Sequence, residues 1–202
     1  MEGIGGPDAL NGVPARYWHR LDDGRIQCDL CPRDCRLHAG QRGACFVRQR
    51  VGDGLVLESQ LRAIELARVG SSIDAIHKSC VETLTEGMVK LGILQGDVAT
   101  LIAEDKYKPF YMHRTSHWLG MDVHDAGAYY LAGKSRPLEA GMALTIEPGL
   151  YFSATDERVP EAYRGIGVRI EDDIVVTDKG PLNLTVGVPK VRAEVEKACA
   201  AG

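Results

Sequence analysis

The chain has 202 residues, 45% of them hydrophobic and 26% charged, the composition of a folded globular chain and not of a disordered one. Lys+Arg number 24 against 28 Asp+Glu, a net charge of -4, so no basic footprint invites nucleic acid or anionic lipid. No run approaches the roughly 20 apolar residues of a membrane span, and residues 1–10 lack a secretory signal pattern, so the expected location is cytoplasmic, off the membrane.

Residues 1–15 carry Gly3, Gly5, Gly6, Pro7, Gly12 and Pro14 and read as a poorly packed arm. Residues 16–54 are short of apolar side chains, and no helical or strand period runs far through them. They hold Cys28, Cys31, Cys35 and Cys45, while the other two of the six cysteines, Cys80 and Cys199, stand alone. In a reducing compartment such a cluster points to metal more than to disulfides, with zinc or an iron–sulfur cluster as the candidates. The competing reading is four reduced thiols in an arm.

A helical pattern starts at Leu57, with Leu61, Ile64 and Leu66, and Gly70 interrupts it. Ser71 with Asp74 three residues on resembles a capping box. Ile73, Ile76, Cys80, Leu84, Met88 and Leu91 then form one stripe of an amphipathic helix that Gly92 is placed to end. Asp97 is a candidate cap for a short helix through Glu104. Residues 110–118 read as extended, 125–140 as loop, 142–147 as a strand stopped by Pro148-Gly149, and 165–176 as a second strand. On that strand the period of two sets Arg169, Glu171 and Asp173 on one face. Residues 178–181 are a turn, and 191–200 a last helix.

The chemistry concentrates in three motifs. His113, His117 and His124 place three of the six histidines close together in the chain. Thr145-Ile146-Glu147-Pro148-Gly149 sets a carboxylate at a strand end, beside a turn that lets a ligand approach. Arg169-Ile170-Glu171-Asp172-Asp173 puts three acids in a row, costly to bury without a cation. Each alone is unremarkable: a surface histidine, a turn, a solvated edge. Together, one histidine and two glutamates from separate strands suit a divalent metal that activates water.

Residues 56–198 closely resemble the C-terminal part of the Xaa-Pro aminopeptidase (aminopeptidase P) family, dinuclear metallopeptidases of pita-bread (creatinase/aminopeptidase-like) fold. The resemblance rests on GMVKLGILQGD, PFYMHRTSHWLGMDVHDAG, LEAGMALTIEPGLY, VPEAYRGIGVRIEDDIVVT and NLT, in family order and spacing. It implies His117 and Glu147 as ligands of one metal and Glu171 as a bridge between two. It implies His124 as the group that stabilises the tetrahedral intermediate, and His113 as a pocket residue near the scissile bond. Arg169 and Tyr151 would form a supporting pair. Manganese, or another divalent ion such as cobalt or zinc, would activate the water that cleaves the bond before proline in proline-containing peptides.

The family has two further aspartate ligands upstream, and no segment like theirs is found. Asp8, Asp22, Asp23, Asp29, Asp34 and Asp53 all lie in other contexts. The expectation is therefore at most one weakly bound metal and impaired hydrolysis. A homodimer would not repair this, although an uncovered sheet favours homo-oligomers. Residues 15–50 are similar to the N-terminal segment of radical S-adenosylmethionine enzymes of the pyruvate formate-lyase activating type, without the cluster-binding motif that follows it there. The expected architecture is α+β: a Cys-rich arm over 1–55, then over 56–202 a partial pita-bread domain, helices on a curved, mainly antiparallel sheet. The alternative is a non-catalytic chimeric metal-binding or interaction protein that uses the Cys28–Cys45 cluster.

Overall fold

The computed structural model describes residues 18–20, 22–23, 26–28, 36–37 and 53–200. The chain divides into two units, Met1–Arg50 and Val51–Gly202. In the first, β1 (Trp18–Arg20), β2 (Ile26–Cys28) and β3 (Arg36–Leu37) form an antiparallel sheet in that order. Trp18 lies opposite Cys28, and Ile26 opposite Leu37. These strands are too short for a period of two to show in the sequence.

The second unit opens with α1 (Asp53–Leu66), which starts earlier than the predicted Leu57. Its buried stripe is Val56, Ser59, Gln60 and Ala63, continued by Ala67 just beyond its end, while Leu61 is 54% exposed. The apolar residues that suggested the helix are thus not the ones it buries. Small and polar side chains let α1 lie close to α2 (Ile73–Lys90). At Gly87 of α2 a Cβ would come within 2.2 Å of the Leu55 side chain. Gln60 Nε2 donates to the Ile146 carbonyl at 3.3 Å, which ties α1 to the sheet.

The stripe on α2 is as expected: Ile73, Ile76, Cys80, Leu84 and Met88 are at most 3% exposed. Its cap is Ser72, one residue later than expected, whose Oγ accepts from the Ala75 N–H at 3.2 Å. Asp97 caps α3 (Val98–Ala103) and accepts from the Thr100 N–H at 3.0 Å.

The main sheet has the order β10-β9-β6, all antiparallel: β6 (Ala143–Ile146), β9 (Asp172–Thr177), β10 (Gly180–Asn183). Helix α1 touches β6 and β10 and so covers this sheet. Residues 115–119 run along the other side of β6. There Leu119 N–H donates to Ala143, Thr145 N–H to His117 and Glu147 N–H to Thr115, at 3.1, 3.0 and 2.7 Å. Residues 130–131 and 134–135, read as loop, form a short hairpin of β4 (Tyr130–Leu131) and β5 (Lys134–Ser135). The chain closes with α4 (Arg192–Ala200).

The predicted strand over 165–176 is two strands. β8 (Gly167–Arg169) pairs with β7 (Gly149–Tyr151), and β9 pairs with β6. The register is nonetheless continuous. Ile146 faces Asp172 and Gly149 faces Arg169, so Glu147 faces Glu171 and Pro148 faces Ile170 across the gap. Proline has no N–H to give the ladder, so only the Ile170 N–H to Pro148 carbonyl bond, at 3.3 Å, is made there.

A buried clamp secures β9 just beyond that gap. Asp172 is 2% exposed. It accepts from Lys190 Nζ at 2.7 Å and from Thr185 Oγ1 at 2.5 Å. Lys190 Nζ also donates to the Thr185 and Val188 carbonyls at 2.7 and 3.0 Å. No helix among the described residues is long and apolar enough to cross a membrane. Removing the lysine strands a buried carboxylate, so Lys190→Met is expected to cost about 3 kcal/mol, read as a lowered urea midpoint.

Candidate metal centre and substrate cleft

The interrupted ladder brings three ligand side chains together. Glu147 and Glu171 sit at facing positions of the gap, on the same face of the sheet. His117 lies on the segment flanking β6, opposite Thr145 and diagonal to Glu147. One ligand atom from each of His117, Glu147 and Glu171 lies within 4.8 Å of the others. His117 and Glu147 are half-buried, and Glu171 is open to solvent.

The hydrogen bonds orient this group. His117 Nδ1 lies 2.9 Å from the Trp118 carbonyl, which can only accept, so Nδ1 carries the proton. In the neutral ring Nε2 then offers a lone pair, 3.1 Å from Glu147 Oε1. Two lone pairs at that separation repel unless a cation or proton lies between them. Thr145 Oγ1 accepts from the His117 N–H at 3.2 Å and donates to Glu147 Oε1 at 3.0 Å. Burial, and then the charge of Glu147, push the Glu171 carboxyl above its ordinary range, with Arg169 opposing. A site of one bare imidazole nitrogen and two mutually repelling carboxylates fits a hard or borderline divalent cation.

An open cleft of about 570 Å³ lies over this group. The Tyr151 hydroxyl donates to His113 Nε2 at 2.8 Å, while His113 Nδ1 donates to the Arg114 carbonyl at 2.8 Å. Arg169 Nε lies 3.8 Å from Glu147 Oε2, so it holds the carboxylate that faces its own strand. His124 is exposed, with its ring centroid 4.2 Å from that of His117. Of the residues expected at the site on the second unit, His113, His117, His124, Glu147 and Arg169 line the cleft, Glu171 joins His117 and Glu147, and Tyr151 touches His113. Gly149 does a different job from the one expected. A Cβ there would meet the Val168 carbonyl at 3.0 Å and the Tyr151 hydroxyl at 2.6 Å, so it makes room for Tyr151 and β8. Cys31, Cys35 and Cys45 lie outside the described residues, and of Cys28 only the backbone in β2 is described.

Residues 49–178 match the model of metallopeptidase family M24. The chain belongs to that family. Xaa-Pro aminopeptidase of Escherichia coli is 54% identical over 142 residues, 70% of this chain and 32% of that protein. Human Xaa-Pro aminopeptidase 3 is 39% identical over 146 residues, 71% of this chain and 28% of that protein. Among solved structures, Pseudomonas aeruginosa aminopeptidase PepP superposes with a TM-score of 0.72 at 43% identity, over 88% of this chain and 37% of that one. E. coli aminopeptidase P with the inhibitor Pro-Leu gives 0.70 at 52% identity, over 74% and 34%. The chain spans about a third of the length of the curated relatives it matches. Its second unit is accordingly a partial pita-bread domain of the M24 type.

The M24 motifs pass over several residues that support the site. Thr115 is fully buried, and its carbonyl takes the Glu147 N–H. Its hydroxyl bonds Tyr111 and, at 2.9 Å, His77 Nδ1 on α2. No local pattern links His77 to position 115; only the tertiary fold does. Burial first, and then the charge of Arg114, push the His77 imidazole down to about 4, with Asp74 opposing and His113 and Lys108 adding to the fall. A histidine depressed on folding contributes its full stability above its unfolded value, about 6.5, and loses it as pH falls toward 4. The unfolding free energy of the wild type, from urea melts, should therefore fall between pH 7.5 and pH 4.5 by about 1–3 kcal/mol more than that of His77→Gln.

Proposed function

We propose that this chain is a metal-dependent, aminopeptidase-type hydrolase that releases the residue ahead of proline, with the metal held by His117, Glu147 and Glu171. The observation that carries the reading is the convergence of those three ligand atoms within 4.8 Å. Membership of family M24, and relatives that are Xaa-Pro aminopeptidases, supply the reaction class. E. coli aminopeptidase P has been solved with the inhibitor Pro-Leu and, zinc-substituted, with product, which supports a proline peptide and a divalent ion here. When bound, that ion, manganese first with cobalt and zinc as alternatives, supplies Lewis acidity and an acidified water.

The chain's own groups then have defined tasks. Arg169 and Thr145 hold the Glu147 carboxylate in its ligating orientation. Trp118 fixes the His117 tautomer through its carbonyl. Tyr151 fixes the ring of His113 against the cleft, where it meets the peptide beside the scissile bond. His124, exposed next to His117, donates to the oxyanion as the carbonyl becomes tetrahedral.

Three ligands hold one ion, not two. We infer a single weakly bound metal and hydrolysis impaired by the lack of the two aspartates. Two further proposals rest on the sequence alone: zinc or an iron–sulfur cluster at Cys28, Cys31, Cys35 and Cys45, and a homo-oligomer.

Manganese titration of the purified chain should show one site, lost in Glu171→Ala and in His117→Ala. Manganese-dependent cleavage of an Xaa-Pro dipeptide should run about 100-fold or more below that of the E. coli relative. Turnover equal to the relative would overturn the impairment. Metal binding indifferent to both substitutions would overturn the site. In the same samples, zinc or iron lost in Cys31→Ser would support the cysteine site, and its absence from the wild type would remove it.

A further inference from the structure

Two arginines line the cleft, and they are held differently. Arg169 is engaged by Glu147, inside the ligand group. Arg114 is engaged by Asp74, which belongs to the first turn of α2 and not to the ligand group. The Asp74 carboxylate also accepts the Tyr130 hydroxyl at 3.2 Å, and Tyr130 lines the same cleft. One acid thus fixes two side chains of one wall. The pair leaves the Arg114 side chain 50% exposed and that of Asp74 40% exposed. An ion pair so open contributes little to stability, and what it adds here is position: it sets the guanidinium on the wall that Tyr130 shares. Only one guanidinium nitrogen, Nη2, is bonded to Asp74, and arginine has five N–H donors in a fixed fork suited to a carboxylate.

Distance sets what this fork can read. Arg114 precedes His117 by three residues, so its Cα lies at most about 10 Å from that of the proposed ligand. Two residues of extended peptide beyond a cleaved bond span about 7 Å. With the length of the arginine side chain, that matches a carboxylate closing a two-residue leaving group.

We propose that Arg114, oriented by Asp74, is a specificity residue that binds the C-terminal carboxylate of a short peptide whose cleaved bond lies two residues from its end. This rests on the reading above that the cleft binds proline peptides at a metal held by His117. The cleft then prefers tripeptides to longer or C-terminally blocked ones, because an amide or a continuing chain removes the charge the fork reads. The preference is preorganised, since Asp74 fixes the fork before peptide arrives.

Calorimetric titration of the full chain in manganese, with Pro-Leu and Pro-Leu-amide as probes, tests this. Wild type should bind Pro-Leu about tenfold more tightly than the amide. Arg114→Gln should bind both with the affinity of the amide, Arg114→Lys should keep part of the difference, and Asp74→Asn should reduce it while the melting temperature stays within a few degrees. Equal affinities in the wild type, or a difference that survives in Arg114→Gln, would overturn the assignment. His117→Ala separates the two readings. Pro-Leu binding that ignores this change sinks the metal reading but leaves the Arg114 assignment to the carboxylate comparison. No binding of either peptide by the wild type sinks both.

Discussion

Two carboxylates face each other where a β ladder breaks, and the rest of the site is arranged around that fact. Glu147 and Glu171 occupy paired positions in a register that runs unbroken from β6/β9 to β7/β8. Like charges directly opposite one another destabilise a sheet. Pro148 gives the ladder no N–H, so at this point only the Ile170 N–H to Pro148 carbonyl bond, at 3.3 Å, crosses between the strands. The Glu171 carboxyl is held above its ordinary range, first by burial and then by the charge of Glu147. Arg169 offsets part of it. A cation between the carboxylates and the bare nitrogen of His117 would offset the rest.

The surrounding structure keeps that arrangement from relaxing. If β9 could slide or splay, Glu171 would move away from Glu147 and the facing pair would be lost. Asp172, Lys190 and Thr185 clamp β9 immediately after Glu171. If the flanking segment could drift, His117 would leave Glu147. Thr115 and His117 pin it to β6 through backbone bonds, and His77 of α2 holds Thr115 from behind. Helix α2 is in turn fixed by the apolar stripe from Ile73 to Met88 and by close contact with α1. Hydrophobic burial thus does for this site what a covalent frame would do: it holds groups together that repel.

The parts of this that a sequence can carry are local. The stripe on α2 repeats every three or four residues, and Asp97 caps its helix through its own side chain, so both were legible. The candidate ligands stand out only together, because each of their motifs alone is an ordinary surface histidine, turn or solvated edge. The face of α1 was not legible. Its buried Ser59, Gln60 and Ala63 look polar or small in isolation, and only the approach of α2 makes them interior. The break between β8 and β9 was hidden because its cause, Pro148, stands on the partner strand more than twenty residues away. The roles of His77, Asp74 and Arg114 were hidden for the same reason: each joins elements distant in the chain.

Family membership and the local chemistry divide the work of this chain in an unusual way. The side chains that would recognise a peptide, His113, His124, Arg114 and Tyr130, sit on the segments between α3 and β5, and Arg169 on β8. The ligands that would drive the chemistry are three, two of them acids at one break in a sheet. Recognition needs correct shape and a few oriented donors, and these survive without a full ligand set. Activation of water needs the charge of the metal itself, and falls steeply when that charge is weakly held. On the proposed reading, peptide binding and peptide cleavage therefore separate in this molecule. On that reading the cleft would retain a product-like peptide through Arg114 while turnover would be slow, because the fork and the facing glutamates depend on different contacts: one on Asp74 at the start of α2, the other on the clamp behind β9.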